Sequence, residues 1–209
     1  MNESPFAITI SRQLGSGGAY IGQQLAKKLN IAYIDREIIS EAAKKLSVLE
    51  EDLETRDEKR LSFWQSFALG YWAPDSYIPP QMYVPTDRDL YNTEAQIIQH
   101  IANERSAIII GRCGSHILKD KKGHVSIFLH AGIDFRKQRV KELYNVSEEV
   151  ALKMINQSDN QRAQYHRKIT GKDWTDLKQY DLSINTGKIG VDNSIEFILK
   201  YISYFSNEV

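Results

Sequence analysis

Short apolar runs alternate with amphipathic stretches along most of the chain. Five runs are short, apolar and rich in β-branched residues, which predicts strands at residues 6–11, 31–35, 107–111, 125–130 and 182–185. Helical patterns separate or follow them: one begins at Gly18, one is capped by Ser147, and others cover residues 37–46, 135–144 and 194–205. This alternation predicts an α/β fold, in which one three-layer α/β/α domain over residues 1–209 contains a five-stranded parallel sheet.

One region interrupts the alternation. Residues 49–91 begin with mixed charges and continue with many aromatic residues and with Pro74, Pro79, Pro80 and Pro85. The first half is compatible with a helix, whereas the prolines exclude a regular helix from the second half. We interpret the region as a partly helical, aromatic-rich insertion in this domain. Three readings stay open: a flap whose aromatic residues pack, a lid, or the interface of a homo-oligomer.

Charge and composition narrow the function classes. Lys and Arg number 27 and Asp and Glu number 27, so the chain lacks the excess positive charge typical of nucleic-acid binding. A single cysteine, Cys113, excludes an internal disulfide, and no signal-peptide pattern is present, so a cytoplasmic location is expected. No apolar run approaches the roughly 20 residues of a membrane-spanning helix. The histidines lack metal-ligand spacing. We therefore expect no nucleic-acid partner, no membrane contact and no protein-bound metal.

The loop between the first strand and the first helix carries the main functional signal. Its glycine-rich part consists of Gly15, Ser16, Gly17, Gly18 and Ala19. Glycines let a backbone turn sharply and approach a phosphate closely, and the N-terminus of the following helix adds partial positive charge. The order of strand, glycine-rich loop and helix predicts that backbone N–H groups of these residues hold the phosphates of a nucleotide.

This loop departs from the Walker A pattern, G-x-x-x-x-G-K-[ST]. When Gly17 is placed on the second glycine of the pattern, Arg12 falls on the first glycine and Gly18 on the lysine, and Ala19 falls on the Ser/Thr. The lysine that reaches the β- and γ-phosphates is therefore missing, as is the hydroxyl that normally holds Mg²⁺. Arg12 can supply part of the missing charge, although its side chain starts from a different place. A glycine-rich turn without a ligand is the alternative interpretation.

The chain resembles the cytidylate kinase-like proteins, a divergent branch of the nucleoside monophosphate kinases with a P-loop NTPase fold. The stretches that carry the resemblance are ITISRQLGSGG, YIDREII, IIIGRCGSHIL, HVSIFLHAGIDFRKQRV and YDLSINTGKIG. The lysine-free loop, of the type SRxxGSGG, is similar to that of the family. The resemblance extends over nearly the whole chain apart from residues 49–91. It implies a five-stranded parallel sheet and phosphoryl transfer from ATP, with Mg²⁺, to a nucleoside monophosphate, in particular CMP or dCMP.

The resemblance also assigns residues to the acceptor site. Asp35 and Arg36 end the second strand, where kinases of this type begin their monophosphate site. Arg112 falls on the arginine of the GRD-type motif that grips the acceptor phosphate, and Cys113 stands in place of the aspartate of that motif. Because ligands of α/β folds bind at the carboxyl ends of strands, the positions of Asp35 and Arg112 fit these roles. The arginine fork also suits bidentate contact with phosphate oxygens.

Further residues follow from the resemblance at the lid and near the ATP base. The resemblance places Arg136 and Arg139 where the helix leading to the lid starts, and Asn185 and Thr186 near the ATP base. Within a lid region at residues 146–172, the charged residues that resemble those of the family are Asp159 and Arg162. Asp159, Arg162 and His166 share one helix face by their spacing of three and four residues. The arginines and Asp159 are also compatible with ordinary surface charges.

Three functions remain open from the sequence. In the first, an ATP-dependent kinase of a nucleoside monophosphate uses Arg12 and Asp35 in catalysis, while Arg162 and Arg167 close over the transferred group. The second is a nucleotide-binding regulator with little turnover, which the missing lysine and hydroxyl motivate. The third is a kinase of another small acceptor on the same fold.

Overall fold

The computed structural model describes residues 4–35, 38–39 and 88–204. They contain a five-stranded sheet in the order β2-β3-β1-β4-β5, in which every neighbouring pair is parallel. The strands are β1 (Ala7–Arg12), β2 (Ala32–Ile34), β3 (Ala107–Ile110), β4 (His124–His130) and β5 (Leu182–Asn185). The parallel arrangement aligns the carboxyl ends of all five strands at one edge of the sheet.

Helices follow the strands in the described part of the chain. They are α1 (Gly18–Leu29), α2 (Arg88–Glu104), α3 (Gly114–Ile117), α4 (Ile133–Tyr144), α5 (Glu148–Thr170), α6 (Thr186–Ile189) and α7 (Val191–Ser203). A 3-10 turn spans Leu177–Gln179, and Ile38 and Ile39 are also helical. None of these helices combines the length and the apolar character needed to cross a membrane.

Two apolar layers cover the two faces of the sheet. On one face, Ile21 and Leu25 of α1 and Ile198 of α7 pack against alternate residues of β1, β3 and β4. On the other face, Ile97 and Ile101 of α2 pack with the opposite set of strand residues. Burial on both faces explains why β3 is a continuous run of apolar residues. The three-layer α/β/α architecture predicted from the sequence is therefore confirmed.

A smaller core holds α4 and α5 together as a helical hairpin above the strand ends. Val140 of α4 packs with Ala151 and Ile155 of α5, and Leu14 from the loop after β1 packs against them. Ser147 caps α5 by accepting a hydrogen bond from the backbone N–H of Val150 at 3.3 Å, as its sequence position predicts. The hairpin thus contacts the glycine-rich loop through an apolar side chain.

The sequence predicted the strands better than the helices. Each predicted strand boundary lies within one residue of the observed one, whereas α7 begins at Val191, three residues before the predicted start. Helix α2 was not predicted, and its first residues overlap the end of the proposed insertion at 49–91. The rest of that insertion and most of the helix predicted at 37–46 lie outside the described residues, so those interpretations stay predictions.

Thr186 fixes the glycine-rich loop to the sheet from below. Its fully buried hydroxyl donates to the backbone carbonyl of Ser16 at 2.8 Å and lies 3.2 Å from the carbonyl of His130. Ser183, three residues before Thr186, offers a contrast, because its buried Oγ has no hydrogen-bond partner among the described residues. The pair therefore offers a matched test of what the Thr186 contact contributes.

We expect Thr186→Val to destabilise the fold by about 1–3 kcal/mol, because it leaves the buried carbonyl of Ser16 without its donor at nearly constant volume. Ser183→Ala removes a hydroxyl that has no partner and should change stability little. Urea unfolding of both variants measures the difference at constant m-value. Equal loss in the two variants would contradict the role of Thr186.

Candidate functional site

The glycine-rich loop has the backbone geometry of a phosphate-binding turn. Gly15 and Gly17 both adopt positive φ, at 83° and 84°, a region that side-chain-bearing residues avoid. Gly17 is the N-cap of α1, and no side chain makes a capping hydrogen bond there. The N-terminus of α1 therefore keeps the donor groups and partial positive charge that favour an anionic ligand.

Two hydrogen bonds and the close approach of α4 support the loop. The Gln13 N–H donates to the carbonyl of Leu129 at 3.0 Å, and the Ser16 hydroxyl donates to the carbonyl of Gln13 at 2.8 Å. A Cβ on Gly15 would lie 2.8 Å from the backbone oxygen of Arg136, so only glycine allows α4 to approach this closely. These contacts use the Ser16 hydroxyl inside the loop, which leaves the backbone as the part that faces a ligand.

A cavity of about 450 Å³ opens beside the loop at the carboxyl ends of the strands. Its volume is in the range of small-molecule sites. The walls come from the loop, α1, the ends of β2 and β3, and the α4–α5 hairpin. Among the described residues that line it, the arginines are Arg12, Arg112, Arg139 and Arg162, and the single carboxylate is Asp35. This excess of positive charge suits an anion with several phosphates.

Arg112 follows β3 in a turn of three consecutive left-handed residues. Gly111, Arg112 and Cys113 have φ of 76°, 51° and 54°, although two of them carry side chains. Such conformations cost about 1–3 kcal/mol each and are often found at functional sites. The turn directs the Arg112 side chain into a buried position at the wall of the cavity. Burial raises the pKa of the Cys113 thiol to about 12, so that thiol is protonated at neutral pH.

A buried carboxylate neutralises Arg112. Glu94 of α2 is fully buried and accepts a hydrogen bond from Nη2 of Arg112 in a close ion pair. The Arg112 guanidinium also lies 5.3 Å from the ring centroid of Tyr165, and the Tyr165 hydroxyl is 3.4 Å from the other Glu94 oxygen. Helix α2 and helix α5 thus meet at Arg112. Any acceptor phosphate at this wall would meet an arginine whose orientation Glu94 and Tyr165 already fix.

Asp35 faces the same cavity from the end of β2. It is buried, and its Oδ1 accepts a hydrogen bond from the backbone N–H of Ile38 at 3.2 Å. This contact makes Asp35 the cap of the helical turn that includes Ile38 and Ile39. Arg36, its predicted partner in acceptor binding, lies outside the described residues, so its role stays a prediction.

Asp159 joins the lid helix to the glycine-rich loop. Its Oδ1 accepts from the backbone N–H of Leu14 at 3.0 Å, and its Oδ2 accepts from Nη1 of Arg136. Arg162, one turn further along α5, lies 3.4 Å from Asp159 Oδ1 and faces the cavity. Asp159, predicted as a lid charge, and Arg136, predicted on the helix leading to the lid, thus hold α4, α5 and the loop together, while Arg162 reaches the cavity.

Arg139 makes few contacts with the described residues. It makes no ion pair with any described residue, and its buried Nε has no hydrogen-bond partner among them. Its guanidinium lies 6.0 Å from the centroid of the Phe135 ring, which is a weak contact at most. The interpretation of Arg139 as an ordinary surface charge is therefore not what the geometry favours. A guanidinium at the wall of a cavity with unsatisfied donors is suited to phosphate oxygens.

His166 lines the cavity as a neutral group. Burial, together with the nearby charge of His116, lowers the pKa of His166 to about 4. The Thr170 hydroxyl donates to the carbonyl of His166 at 2.8 Å, and Nδ1 of the imidazole lies 3.0 Å from the Thr170 oxygen and 3.3 Å from the Lys172 carbonyl. These contacts place the ring proton on Nδ1. Neutral His166 therefore offers a hydrogen-bond acceptor, Nε2, and no positive charge to a ligand.

Three residues predicted for the site do not line the cavity. Arg167 is exposed on α5 and does not line the cavity, because it lies on the opposite face of the helix from Tyr165. Asn185 ends β5, and the hydroxyl of Thr186 supports the carbonyl of Ser16 in the loop. The buried Oδ1 of Asn185 has no hydrogen-bond partner among the described residues. Neither Asn185 nor Thr186 lines the cavity.

The sequence analysis did not identify Glu94 or Tyr165. A signal for Glu94 exists, since it precedes Ile97, Ile98 and Ile101 at three, four and seven residues. A charged residue on the apolar face of a helix is rarely buried without a partner. No comparable pattern marks Tyr165, whose importance depends on its contact with Arg112.

The fold and the site together define the protein class. The strand order β2-β3-β1-β4-β5, with a glycine-rich loop between β1 and α1, is an α/β kinase fold of the P-loop type. The sequence profile of the cytidylate kinase-like family matches residues 7–188, and the chain belongs to this family. The resemblance inferred from the sequence is therefore confirmed.

Relatives with known names and structures are similar over most of the chain. The cytidylate kinase of Sulfurisphaera tokodaii is 26% identical over 200 residues, which is 94% of this chain and 95% of the relative. The cytidylate kinase of Sulfolobus acidocaldarius is 24% identical over 200 residues, or 94% and 93% of the two chains. The crystal structure of an uncharacterized protein from Eubacterium ventriosum has a TM-score of 0.72 and 28% identity, and it matches 95% of this chain and 98% of that one.

Removal of Arg112 alone should destabilise the protein, because it leaves the charge of Glu94 buried without its partner. We expect Arg112→Met to cost about 3–5 kcal/mol. Addition of Glu94→Gln to that variant should recover part of the loss, since the orphaned charge is then removed. Urea unfolding of the single and double variants measures the coupling. If Glu94→Gln lowers stability as much in the Arg112→Met protein as in the wild type, the pair does not act as described.

Proposed function

We propose that this chain transfers the γ-phosphoryl group of ATP to a nucleoside monophosphate, with CMP and dCMP as the first candidates. The observation that carries the proposal is one cavity that joins the glycine-rich loop to arginines from three other parts of the chain, Arg112, Arg139 and Arg162. Phosphoryl transfer requires alignment of two nucleotides and positive charge around the migrating group, which this arrangement supplies. The family and its named relatives support a nucleotide kinase.

In the proposed reaction, an oxygen of the acceptor monophosphate forms a bond to the γ-phosphorus of ATP. The bond between that phosphorus and the β–γ bridging oxygen breaks, and its electron pair leaves with ADP. The products are ADP and a nucleoside diphosphate. Backbone N–H groups of the loop from Gly15 to Ala19 would bind the ATP phosphates, with Arg12 adding charge. Asp35, Arg36 and Arg112 would bind the acceptor.

The arginines of the α4–α5 hairpin would complete the site. Arg162 and Arg139 both reach the cavity and would contact the phosphoryl group during transfer. Arg167, which is exposed outside the cavity, is omitted from this proposal. Asn185 is kept only as a candidate contact near the ATP base, and the hydroxyl of Thr186 is already bound to the loop.

Magnesium would enter with the ATP phosphates. Ala19 has no hydroxyl to hold it, and the described residues contain no group of three or more His, Cys, Asp or Glu side chains that could form a metal site. Asp35 is the one carboxylate among the cavity-lining residues described, so it is the residue that would hold the hydrated ion. The ion would shield the charge on the phosphate oxygens when bound.

A specific observation supports a second candidate, a kinase of another small acceptor. The buried Glu94 neutralises Arg112, and Cys113 replaces the aspartate of the GRD-type motif. Both features reduce the likeness of this wall to a site that recognises a cytidine monophosphate. The neutral imidazole of His166 would accept a hydrogen bond from an N–H or O–H group of such an acceptor.

A cytoplasmic location, with nucleotides as the partners, fits an activity that consumes ATP. Assembly into a homo-oligomer through residues 49–91 stays a prediction from the sequence.

The test is ADP release from ATP·Mg²⁺ with a panel of nucleoside monophosphates and small hydroxyl-bearing metabolites, with direct detection of the phosphorylated product. Turnover with CMP or dCMP supports the first candidate, and turnover with another compound supports the second. ATP binding without turnover would instead favour a regulator. No binding of ATP by the folded protein would overturn the proposed nucleotide function.

Arg139→Ala should lower kcat/KM by about 10²-fold or more, because it removes a guanidinium directed at the transferring phosphate. Its stability should stay close to that of the wild type, since Arg139 has no ion-pair partner among the described residues to leave behind. Lys168→Ala, at an exposed position on α5, is the control and should leave both quantities unchanged. Kinetics with the best acceptor and urea unfolding measure the two effects. Unchanged kcat/KM in Arg139→Ala would remove this residue from the site.

A further inference from the structure

We infer that Arg12 takes the place of the Walker A lysine, and that Gly18 is a glycine because the Arg12 side chain occupies the space its Cβ atom would need. The inference rests on the proposed function, which supplies the phosphoryl group that Arg12 would contact. It adds a mechanism for the missing lysine. Arg12 and a lysine at residue 18 would each place a positive charge near the phosphates, but the two side chains would occupy the same space.

The first observation concerns Gly18, which falls on the lysine position of the Walker A pattern. A Cβ built on Gly18 would lie 2.6 Å from Cγ and 2.8 Å from Cβ of Arg12, closer than such atoms approach in real structures. These two Arg12 atoms are next to its backbone at the end of β1, so they cannot move aside easily. The φ of Gly18 is not positive, so its backbone conformation alone does not require glycine. The Arg12 side chain therefore explains why this position has no side chain.

The second observation concerns the far end of the same side chain. A Cβ on Gly111 would lie 2.3 Å from Nη1 and 3.5 Å from Cζ of Arg12. Gly111 opens the turn that contains Arg112, so the guanidinium of Arg12 lies against the acceptor side of the cavity. The side chain thus runs from the ATP-phosphate loop, past the start of α1, to the acceptor turn.

This path places a positive charge between the two halves of the site. During transfer, the γ-phosphoryl group leaves the bridging oxygen of ADP and bonds to an acceptor oxygen. A planar guanidinium presents several donors and can contact two oxygens at once, whereas a lysine ammonium acts as a point charge. At the junction, Arg12 would stabilise the charge on the migrating group and hold donor and acceptor phosphates together.

The alternative is that Arg12 only holds the two loops together. The same contacts with Gly18 and Gly111 would serve that purpose, and loss of the side chain would then lower stability and impair ATP and acceptor binding equally. The two readings differ in one respect. A lysine at residue 18 can replace a catalytic charge. It cannot replace the packing contacts of a side chain that begins at the end of β1 and joins the two loops.

The experiment compares five variants with the wild type, with ATP·Mg²⁺ and CMP as probes. Arg12→Gly should lower kcat by about 10²-fold or more, and Arg12→Lys, which keeps the charge, should lose less. Gly18→Ala should also lower kcat, since its methyl group displaces Arg12. In the Arg12→Gly protein, Gly18→Ala should have no further effect. The double variant Arg12→Gly/Gly18→Lys, which recreates the G-x-x-x-x-G-K pattern, should recover at least tenfold over Arg12→Gly.

Urea unfolding of each variant separates these effects from loss of folding. Three results would overturn the inference: Arg12→Gly with wild-type kcat, Gly18→Ala without effect on the wild type, or no recovery in the lysine-bearing double variant. If the wild type turns over neither CMP nor any other monophosphate, the proposed function fails. In that case, calorimetry tests the inference through the affinity of each variant for ATP·Mg²⁺. The affinities should rank the variants in the order expected for kcat, and equal affinities would refute the inference.

Discussion

The carboxylate of Asp159 connects three parts of the chain that form the walls of the cavity. One oxygen binds the Leu14 N–H in the glycine-rich loop, and the other binds Arg136 on α4, while Asp159 itself belongs to α5. Gly15 allows this arrangement because any side chain there would collide with the backbone of Arg136. The shape of the phosphate loop is therefore coupled to the position of the helical hairpin. A movement of α5 would either break these hydrogen bonds or carry the loop with it.

The wall of the cavity at the end of β3 depends on a second buried charge pair. Glu94 and Arg112 are joined on the opposite side of the cavity, where α2, α5 and the strained turn after β3 meet. Desolvation of both charges is costly, and such pairs add little to stability compared with apolar packing. The ion pair instead fixes the orientation of Arg112, because a guanidinium bound to a carboxylate keeps one orientation. Two polar junctions thus support the walls of the cavity, and Arg139 and Arg162 line it from the α4–α5 hairpin.

The sheet could be predicted from the sequence because a short local pattern marks each strand. Each strand is a short apolar run, and the continuous burial of β3 follows from its position between two helical layers. Helix α2 was missed although Ile97, Ile98 and Ile101 have helical spacing, because the preceding prolines suggested a loop. The site was harder to predict because its contacts are distant in sequence. The hydroxyl of Thr186 binds the carbonyl of Ser16, which is 170 residues away in the chain. Arg112 pairs with Glu94, which lies on a helix that was not predicted. A local sequence pattern does not show which polar groups of a side chain are already bound to residues distant in the chain.

The crowding between Arg12 and Gly18 has a consequence for how such loops change over evolutionary time. A chain with arginine at the end of β1 and a chain with lysine at the start of α1 differ by two substitutions. If the lysine is gained first, the intermediate contains both side chains in the same space. If the arginine is lost first, the intermediate contains neither cation. Both intermediates have a lower fitness if phosphate binding is under selection. The two solutions would therefore persist as separate lineages on one fold, and the lysine-free loop would mark descent as well as chemistry.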